Sequence, residues 1–275
     1  MGNYLQVAFD QVNLNYAGFD ELALKKLNLH SEINKVGLIG PSHAGKSTLL
    51  YLLAGVLDQV IPTEKSGTIA LDGQDLVNWL ASKQIGLVLQ DPASQLSGMA
   101  DTVFDEIAFG LYNQGLEEAE IEKRVQAVAQ KLDLEDFLDQ APTALSGGQI
   151  QRLAIASIIA LKPDLLLLDD PTSQMDPLGR QHFFAWLKEL DCPVIIASSE
   201  VDDLAEVCDQ LWVLEDGELQ MAGKPADIFM KFVNDQEIAK PAAFLMGEKM
   251  GYKFDGHYPV TADELMKASA YGNHD

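Results

Sequence analysis

Gly40-Pro41-Ser42-His43-Ala44-Gly45-Lys46-Ser47-Thr48 matches the pattern G-x-x-x-x-G-K-S/T, with apolar Val36-Gly-Leu-Ile39 before it and Leu49-Leu-Tyr-Leu-Leu-Ala54 after it. The order strand, glycine-rich loop, helix is the context in which such a loop binds phosphate: backbone N–H groups point at phosphate oxygens, and the helix N-terminus adds its positive dipole. Lys46 supplies a cation for the outer phosphates and Ser47 a hydroxyl for Mg²⁺. A chance match in a chain of this size is on the order of 1% at ordinary residue frequencies. Nucleotide binding is therefore the reading from which the rest of the chain is approached.

The chain has 275 residues, 47% of them hydrophobic, enough to fill a sizeable core as one large domain or as a domain with an appendage. Its 19 basic residues stand against 42 acidic ones, a net charge of -23. That balance argues against direct nucleic-acid binding, which needs clustered cations to displace counterions, and favours basic or neutral partners. Cys192 and Cys208 have no metal-like spacing, so two free thiols in a reducing compartment are expected. The start lacks the basic-then-apolar order of a signal peptide. The apolar run from Ile158 to Leu168 is broken by Lys162 and Asp164, too short to span a membrane.

Along the chain, Leu5 to Tyr16 alternates as a strand would, with Ala23 to His30 as its antiparallel partner, and Ser66 to Gly73 reads as a strand ending in an Asp-Gly turn. Ile85 to Gln90 reads as a buried strand with a polar end. Ile121, Val125, Val128, Ala129 and Leu132 recur at helical spacing. Leu165-Leu-Leu-Leu-Asp169 and Val194-Ile-Ile-Ala197 are short apolar runs of the kind found in parallel strands covered on both faces. Residues 210–222 read as a final hairpin. Beyond Pro225 the pattern loosens into short helices punctuated by Gly, Pro and aromatic residues.

Two further motifs carry chemistry. Asp169, at the end of the leucine run, is placed to hold water on Mg²⁺ beside the phosphate loop. Leu145-Ser146-Gly147-Gly148-Gln149, followed by Gln151-Arg152 and an apolar helix, fits a helix N-cap, and it also lies between the two halves of a nucleotide site.

With these residues in place the chain resembles the ATP-binding cassette (ABC) family, whose signature is Leu-Ser-Gly-Gly-Gln, over residues 5 to about 225. Within it the chain is similar to the ATPase subunits of energy-coupling factor (ECF) vitamin transporters. That narrower resemblance rests on Gln90-Asp-Pro-Ala-Ser-Gln95, on Thr102-Val-Phe-Asp-Glu-Ile-Ala-Phe-Gly110 and on Pro259-Val-Thr-Ala-Asp-Glu-Leu265 in the tail. The resemblance implies an α/β P-loop fold in residues 1–225 with a mixed central sheet, an antiparallel β subdomain and a helical subdomain, about 91–163, that carries the signature. A C-terminal extension, 226–275, follows as a candidate dimerisation element. Its Phe229, Phe232, Phe244, Leu245, Met246, Tyr252, Phe254 and Tyr258 suit either that surface or packing on the cassette.

The resemblance also implies roles. ATP would lie against Tyr16, stacked on adenine, and against Gly40, Ser42, His43, Gly45, Lys46, Ser47 and Thr48; a core aromatic is the plainer reading of Tyr16. Mg²⁺ would be held by Ser47, Gln90 and Asp169, with Gln90 also touching the attacking water. Gln95, Asp101, Asp105 and Glu106 would flank the groove for a basic helix of a membrane subunit, or form a solvated acidic face. In this family two ATPase subunits sandwich two ATP molecules. Ser146, Gly147, Gly148 and Gln149 would therefore grip the γ-phosphate held by a partner, and Asp176 would cross the interface.

Three positions depart from the family pattern. Asp170 replaces a glutamate that polarises the attacking water, and a carboxylate displaced by roughly an ångström can cost about 10²-fold in rate. Ser199 stands in place of a histidine contacting the γ-phosphate, and His43 in place of a loop glycine. All three serve the chain's own ATP, whereas the signature serving the partner's ATP is intact. The implied protein is an ECF-type importer subunit at the cytoplasmic face of the membrane. It would pair with a second ATPase, a heterodimer before a homodimer, and with a transmembrane coupling subunit and a substrate-binding membrane subunit. Alternatives are a nucleotide-binding regulatory subunit without turnover and a soluble ABC protein outside transport.

Overall fold

Alternating apolar residues build the first hairpin. β1 (Leu5–Tyr16) pairs antiparallel with β2 (Leu22–Ile33) and buries Leu5, Val7, Phe9, Val12 and Leu14. The structure, a computed structural model, describes residues 4–235 and 237–271. Residues 1–3, 236 and 272–275, which the sequence reading assigns to the cassette and its tail, lie outside the described residues. β3 (Lys35–Ile39), buried throughout, runs into the phosphate loop, and α1 (Lys46–Leu53) starts at the loop's own lysine. After α2 (Leu57–Val60), β4 (Thr63–Leu71) turns into β5 (Gln74–Asp75) through Asp72 and Gly73 at φ 50° and 73°, the positive values a tight Asp-Gly hairpin turn requires.

α3 (Leu76–Leu80) leads to β6 (Ile85–Val88), and α4 (Val103–Asn113), α5 (Glu118–Lys131) and α6 (Gly147–Ile159) then intervene before β7 (Leu165–Asp169). α7 (Pro177–Glu189), β8 (Val194–Ala197) and α8 (Val201–Val207) precede the last hairpin, β9 (Gln210–Glu215) with β10 (Glu218–Gly223). The tail forms α9 (Pro225–Lys231), α10 (Ala242–Met250) and α11 (Ala262–Tyr271).

The strands make two sheets. One is antiparallel, in the order β2-β1-β4-β5; the other is mixed, in the order β10-β9-β3-β8-β7-β6, with β10 its one antiparallel member. The period of two along each central strand splits the interior. Leu165 and Leu167 of β7 and Ile195 and Ala197 of β8 face the core shared with α1 and the antiparallel sheet. Leu166, Leu168, Val194 and Ile196 face the core shared with the helices α4–α8. Four consecutive leucines in β7 are thus stable because both faces are covered; each such side chain contributes about 1.5–3 kcal/mol on burial.

Two readings of surface residues change with the structure. Glu106 and Asp105 are tied to neighbouring groups and do not form a freely solvated acidic face. Glu106 is only 5% exposed and accepts from the backbone N–H and the hydroxyl of Ser97, both at 2.6 Å. Asp105 accepts from the hydroxyl of Thr102, the N-cap of α4. The Gln95 amide likewise pairs with β6's end, accepting from Leu89 N–H and donating to Leu87 C=O. Only Asp101 of that group is exposed.

In the tail, Phe229 and Phe244 are fully buried in the same core as the cassette helices, and Phe232 and Tyr258 pack against it. Intramolecular packing therefore takes these aromatics, and the exposed apolar residues are Leu245, Met246, Met250 and Met266. Among the described residues no helix is long and apolar enough to cross a membrane.

Candidate functional site

The parallel strands of the central sheet deliver their C-terminal ends to one cleft of about 670 Å³. It is lined by Tyr16, Ser42, His43, Gly45, Lys46, Ser47, Thr48, Gln90, Asp169, Asp170 and Ser199, with Ala23, Ala197 and Ser198. Of the residues read from the sequence as binding the chain's own nucleotide, Gly40 alone stays out of the wall. Its φ is 146°, and a Cβ there would lie 1.9 Å from the Leu214 carbonyl oxygen, so glycine lets the loop leave β3.

The loop is built for an anion. Gly45, at φ 97°, is the N-cap of α1, offers no side-chain cap, and is followed by no acidic residue in the first turn. The orphan amides at that end therefore keep their capacity for an external acceptor. Lys46 donates to the carbonyls of Gly40 (2.8 Å) and Pro41 (2.7 Å), which leaves one of its N–H donors for a ligand. His43 adopts φ 66°, the strained conformation anticipated where a glycine would be easier. Tyr16 packs against the core, as its plainer reading has it, and its hydroxyl pairs with Thr48 Oγ1 at 2.9 Å on the cleft wall.

The donors suited to Mg²⁺ are all oxygens: the Ser47 hydroxyl, the Gln90 amide and the Asp169 carboxylate converge on this one cleft beside an anion-binding loop. Hard oxygen donors few in number match a cation that completes its shell with water and phosphate. Burial holds the Asp170 carboxyl above the usual carboxylate range, Asp169 and Glu200 push the same way, and Lys46 opposes them. Burial lowers Lys46 from the usual lysine value, against the pull of Asp169 and Asp170.

Ser146, Gly147, Gly148, Gln149 and Asp176 line a different cleft, of about 460 Å³, with Asp133, Arg152, Gln174 and His182 among its other walls. Ser146 does cap α6, in a reciprocal capping box with Gln149. The glycines have their own reason: a Cβ on Gly147 would meet Gln174 Oε1 at 2.8 Å, and one on Gly148 the Gln174 carbonyl at 3.1 Å. Among the described residues none lines both clefts.

The family described as ABC transporter matches residues 24–173. This chain belongs to the ABC transporter family. It is 37% identical over 243 residues to the energy-coupling factor transporter ATP-binding protein EcfA1 of Ligilactobacillus salivarius, covering 86% of this chain and 82% of that one. The protein named EcfA2 of Streptococcus thermophilus is 36% identical over 251 residues, covering 85% and 86%. Among solved structures, cbiO1 of Clostridium perfringens, part of the ABC transporter complex cbiONQ, superposes with a TM-score of 0.71 at 29% identity, over 91% of this chain and 100% of its own. A dimeric ATP-binding cassette in a post-hydrolysis state, bound to ADP and Pi, gives a TM-score of 0.68 at 25% identity, over 79% and 98%.

In this ABC cassette three contacts escaped the sequence reading. Tyr51 donates to Asp169 Oδ2 at 2.9 Å, and burial and then Asp169 push its phenol above the usual range. Gln151, fully buried, donates to the Asp170 carbonyl (3.4 Å) and accepts from Gln174 N–H (3.0 Å), so one side chain of α6 ties the signature helix to the loop after β7. Asp133, at φ 52°, takes both Arg152 (3.3 Å) and His182 (3.1 Å) on a single oxygen. All three contacts join residues far apart in the chain; the spacing of Tyr51 one turn beyond Ser47 was a usable signal for its face of α1, and the other two had none.

Proposed function

We propose that this chain is the ATP-binding subunit of an ECF-type importer, in which ATP binding and hydrolysis drive micronutrient uptake through separate membrane subunits. The observation that carries the reading is the separation of the two clefts. The phosphate loop, Asp169 and Gln90 line one, and the signature turn and Asp176 line the other, which supports a nucleotide site completed by a second chain. Similarity to proteins named EcfA1 and EcfA2, at 37% and 36%, supports the transporter type and a partnership between two kinds of ATPase.

Within this reading the chain binds ATP at residues 40–48 and Tyr16, and holds Mg²⁺ through Ser47, Gln90 and Asp169. Bound Mg²⁺ supplies charge neutralisation at the outer phosphates. Asp170 and Ser199 make the chain's own cleft a slow or inactive hydrolytic site, since the carboxylate is short and the hydroxyl cannot become a cation. Ser146 to Gln149 complete the competent site of the partner. Gln90 begins the lever to the membrane subunit. The support for that role is its bracing: Gln95 pins the following segment to β6 and Glu106 pins it to α4. The protein then works as a peripheral subunit at the cytoplasmic face of the membrane.

The same pair, Asp170 and Ser199, favours a second reading, a nucleotide-binding regulatory subunit without turnover. Co-purification from native membranes with identification of every chain, followed by ATPase assays with and without the second cassette, separates the two. Turnover that requires Ser146 supports the first; a complex whose turnover ignores every residue of this chain supports the second.

A further inference from the structure

The helix that opens on the phosphate loop aims a second polar group at the Asp169 carboxylate. After Thr48, every side chain of α1 is leucine except Tyr51, which stands one turn beyond Ser47 on the same face. The Tyr51 ring packs against the core, and its O–H donates to Oδ2 of Asp169 at 2.9 Å. Asp169 is itself only 5% exposed, and among the described residues the Tyr51 hydroxyl is the donor hydrogen-bonded to its carboxylate. Packing alone would be served by another leucine, without a hydroxyl that must be satisfied when buried.

We infer that Tyr51 is a positioning residue for the metal-binding carboxylate: by occupying Oδ2 it holds Asp169 in the rotamer that leaves Oδ1 facing the cleft, where a nucleotide-bound Mg²⁺ is to be held. The inference rests on the reading of this cleft as a Mg²⁺–nucleotide site. The phenol does two opposing things. It withdraws some charge from the carboxylate, which weakens a metal bond, and it removes rotational freedom, which strengthens one. Partners of metal-binding side chains generally favour the metal by about 10–100-fold, so orientation prevails.

The test is a titration of the full chain with a fluorescent ATP analogue, first in EDTA and then with rising MgCl₂, on the wild type, Tyr51→Phe and, as a reference, Asp169→Asn. The phenylalanine variant is expected to bind the analogue in EDTA as the wild type does, while the Mg²⁺ concentration for half-maximal effect rises about 10–100-fold. Asp169→Asn should blunt the Mg²⁺ effect altogether. An unchanged Mg²⁺ midpoint in Tyr51→Phe, whatever happens to its Tm, overturns the inference and reduces the hydrogen bond to satisfying a buried phenol. If the wild type binds no analogue, the reading of the cleft fails and the inference with it.

Discussion

Lys46 is the residue on which the proposed recognition of the nucleotide turns. Two of its N–H donors already hold the carbonyls of Gly40 and Pro41, so its ammonium is fixed across the loop instead of sampling solvent. One charge-assisted hydrogen bond is worth about 1.5–3 kcal/mol, and Lys46→Ala should therefore weaken ATP binding by about 10- to 100-fold, read by isothermal titration. Its Tm should change less than that of a core variant, because the carbonyls it leaves, of Gly40 and Pro41, belong to only partly buried residues. Asp170 shows how a single residue can be recognisable in sequence while its setting is not. The missing methylene was legible; the φ of 48° and the hold that Gln151 keeps on its carbonyl were not, because they depend on residues brought close only by folding.

At the scale of elements, the strands were legible wherever apolar runs had to be covered on both faces, as in β7 and β8, and the Asp-Gly turn before β5 was legible from its φ requirement. Side chains that satisfy backbone groups were not. Gln95 and Glu106 look like an acidic, polar surface in sequence, yet both are committed to binding main-chain atoms of the β6–α4 segment. Lys35 belongs with them. At the start of β3, the end of that strand away from the phosphate loop, it is 5% exposed and donates to Asn34 Oδ1 (2.8 Å), Leu190 C=O (2.7 Å) and Cys192 C=O (2.9 Å).

Burial lowers the Lys35 pKa from the usual lysine value, only partly offset by Cys192 and Asp209. The folded chain therefore releases this proton at lower pH than the unfolded chain. In the window between the lowered value and about 10.5 the unfolded state binds more protons, and the wild type gains stability as pH rises. Lys35→Met, which leaves carbonyls unpaired, should cost about 1–3 kcal/mol at pH 7. The wild-type advantage over the variant should widen toward pH 10 in urea melts; a gap that narrows there would contradict this account of Lys35.

For the whole molecule, the tail is part of the cassette's interior. Ile228, Phe229 and Phe244 are fully buried among residues of the helical core, so a chain ending at Pro225 loses at least three apolar anchors. At about 1.5–3 kcal/mol each, their loss is comparable to the stability of an ordinary domain. The truncated chain should aggregate or melt well below the full chain. Leu245→Glu or Met246→Lys, on the exposed side of α10, should change the unfolding free energy by no more than an ordinary surface substitution does, roughly 0.5 kcal/mol. Those two variants are the ones with which to ask whether the tail joins two cassettes, since folding does not depend on them.

The molecule as a whole presents the phosphate loop and the Ser146–Gln149 turn in separate clefts, and the proposed function takes the first as altered and the second as intact. The most direct test of the proposed asymmetry is the ATPase rate of the intact, co-purified complex carrying either Ser146→Arg or Asp170→Asn in this chain. The account predicts that Ser146→Arg abolishes turnover, because it blocks the partner's site, while Asp170→Asn leaves the rate within about twofold, less than the 10²-fold or more expected when a working general base is removed. Loss of turnover in Asp170→Asn with turnover retained in Ser146→Arg would contradict it.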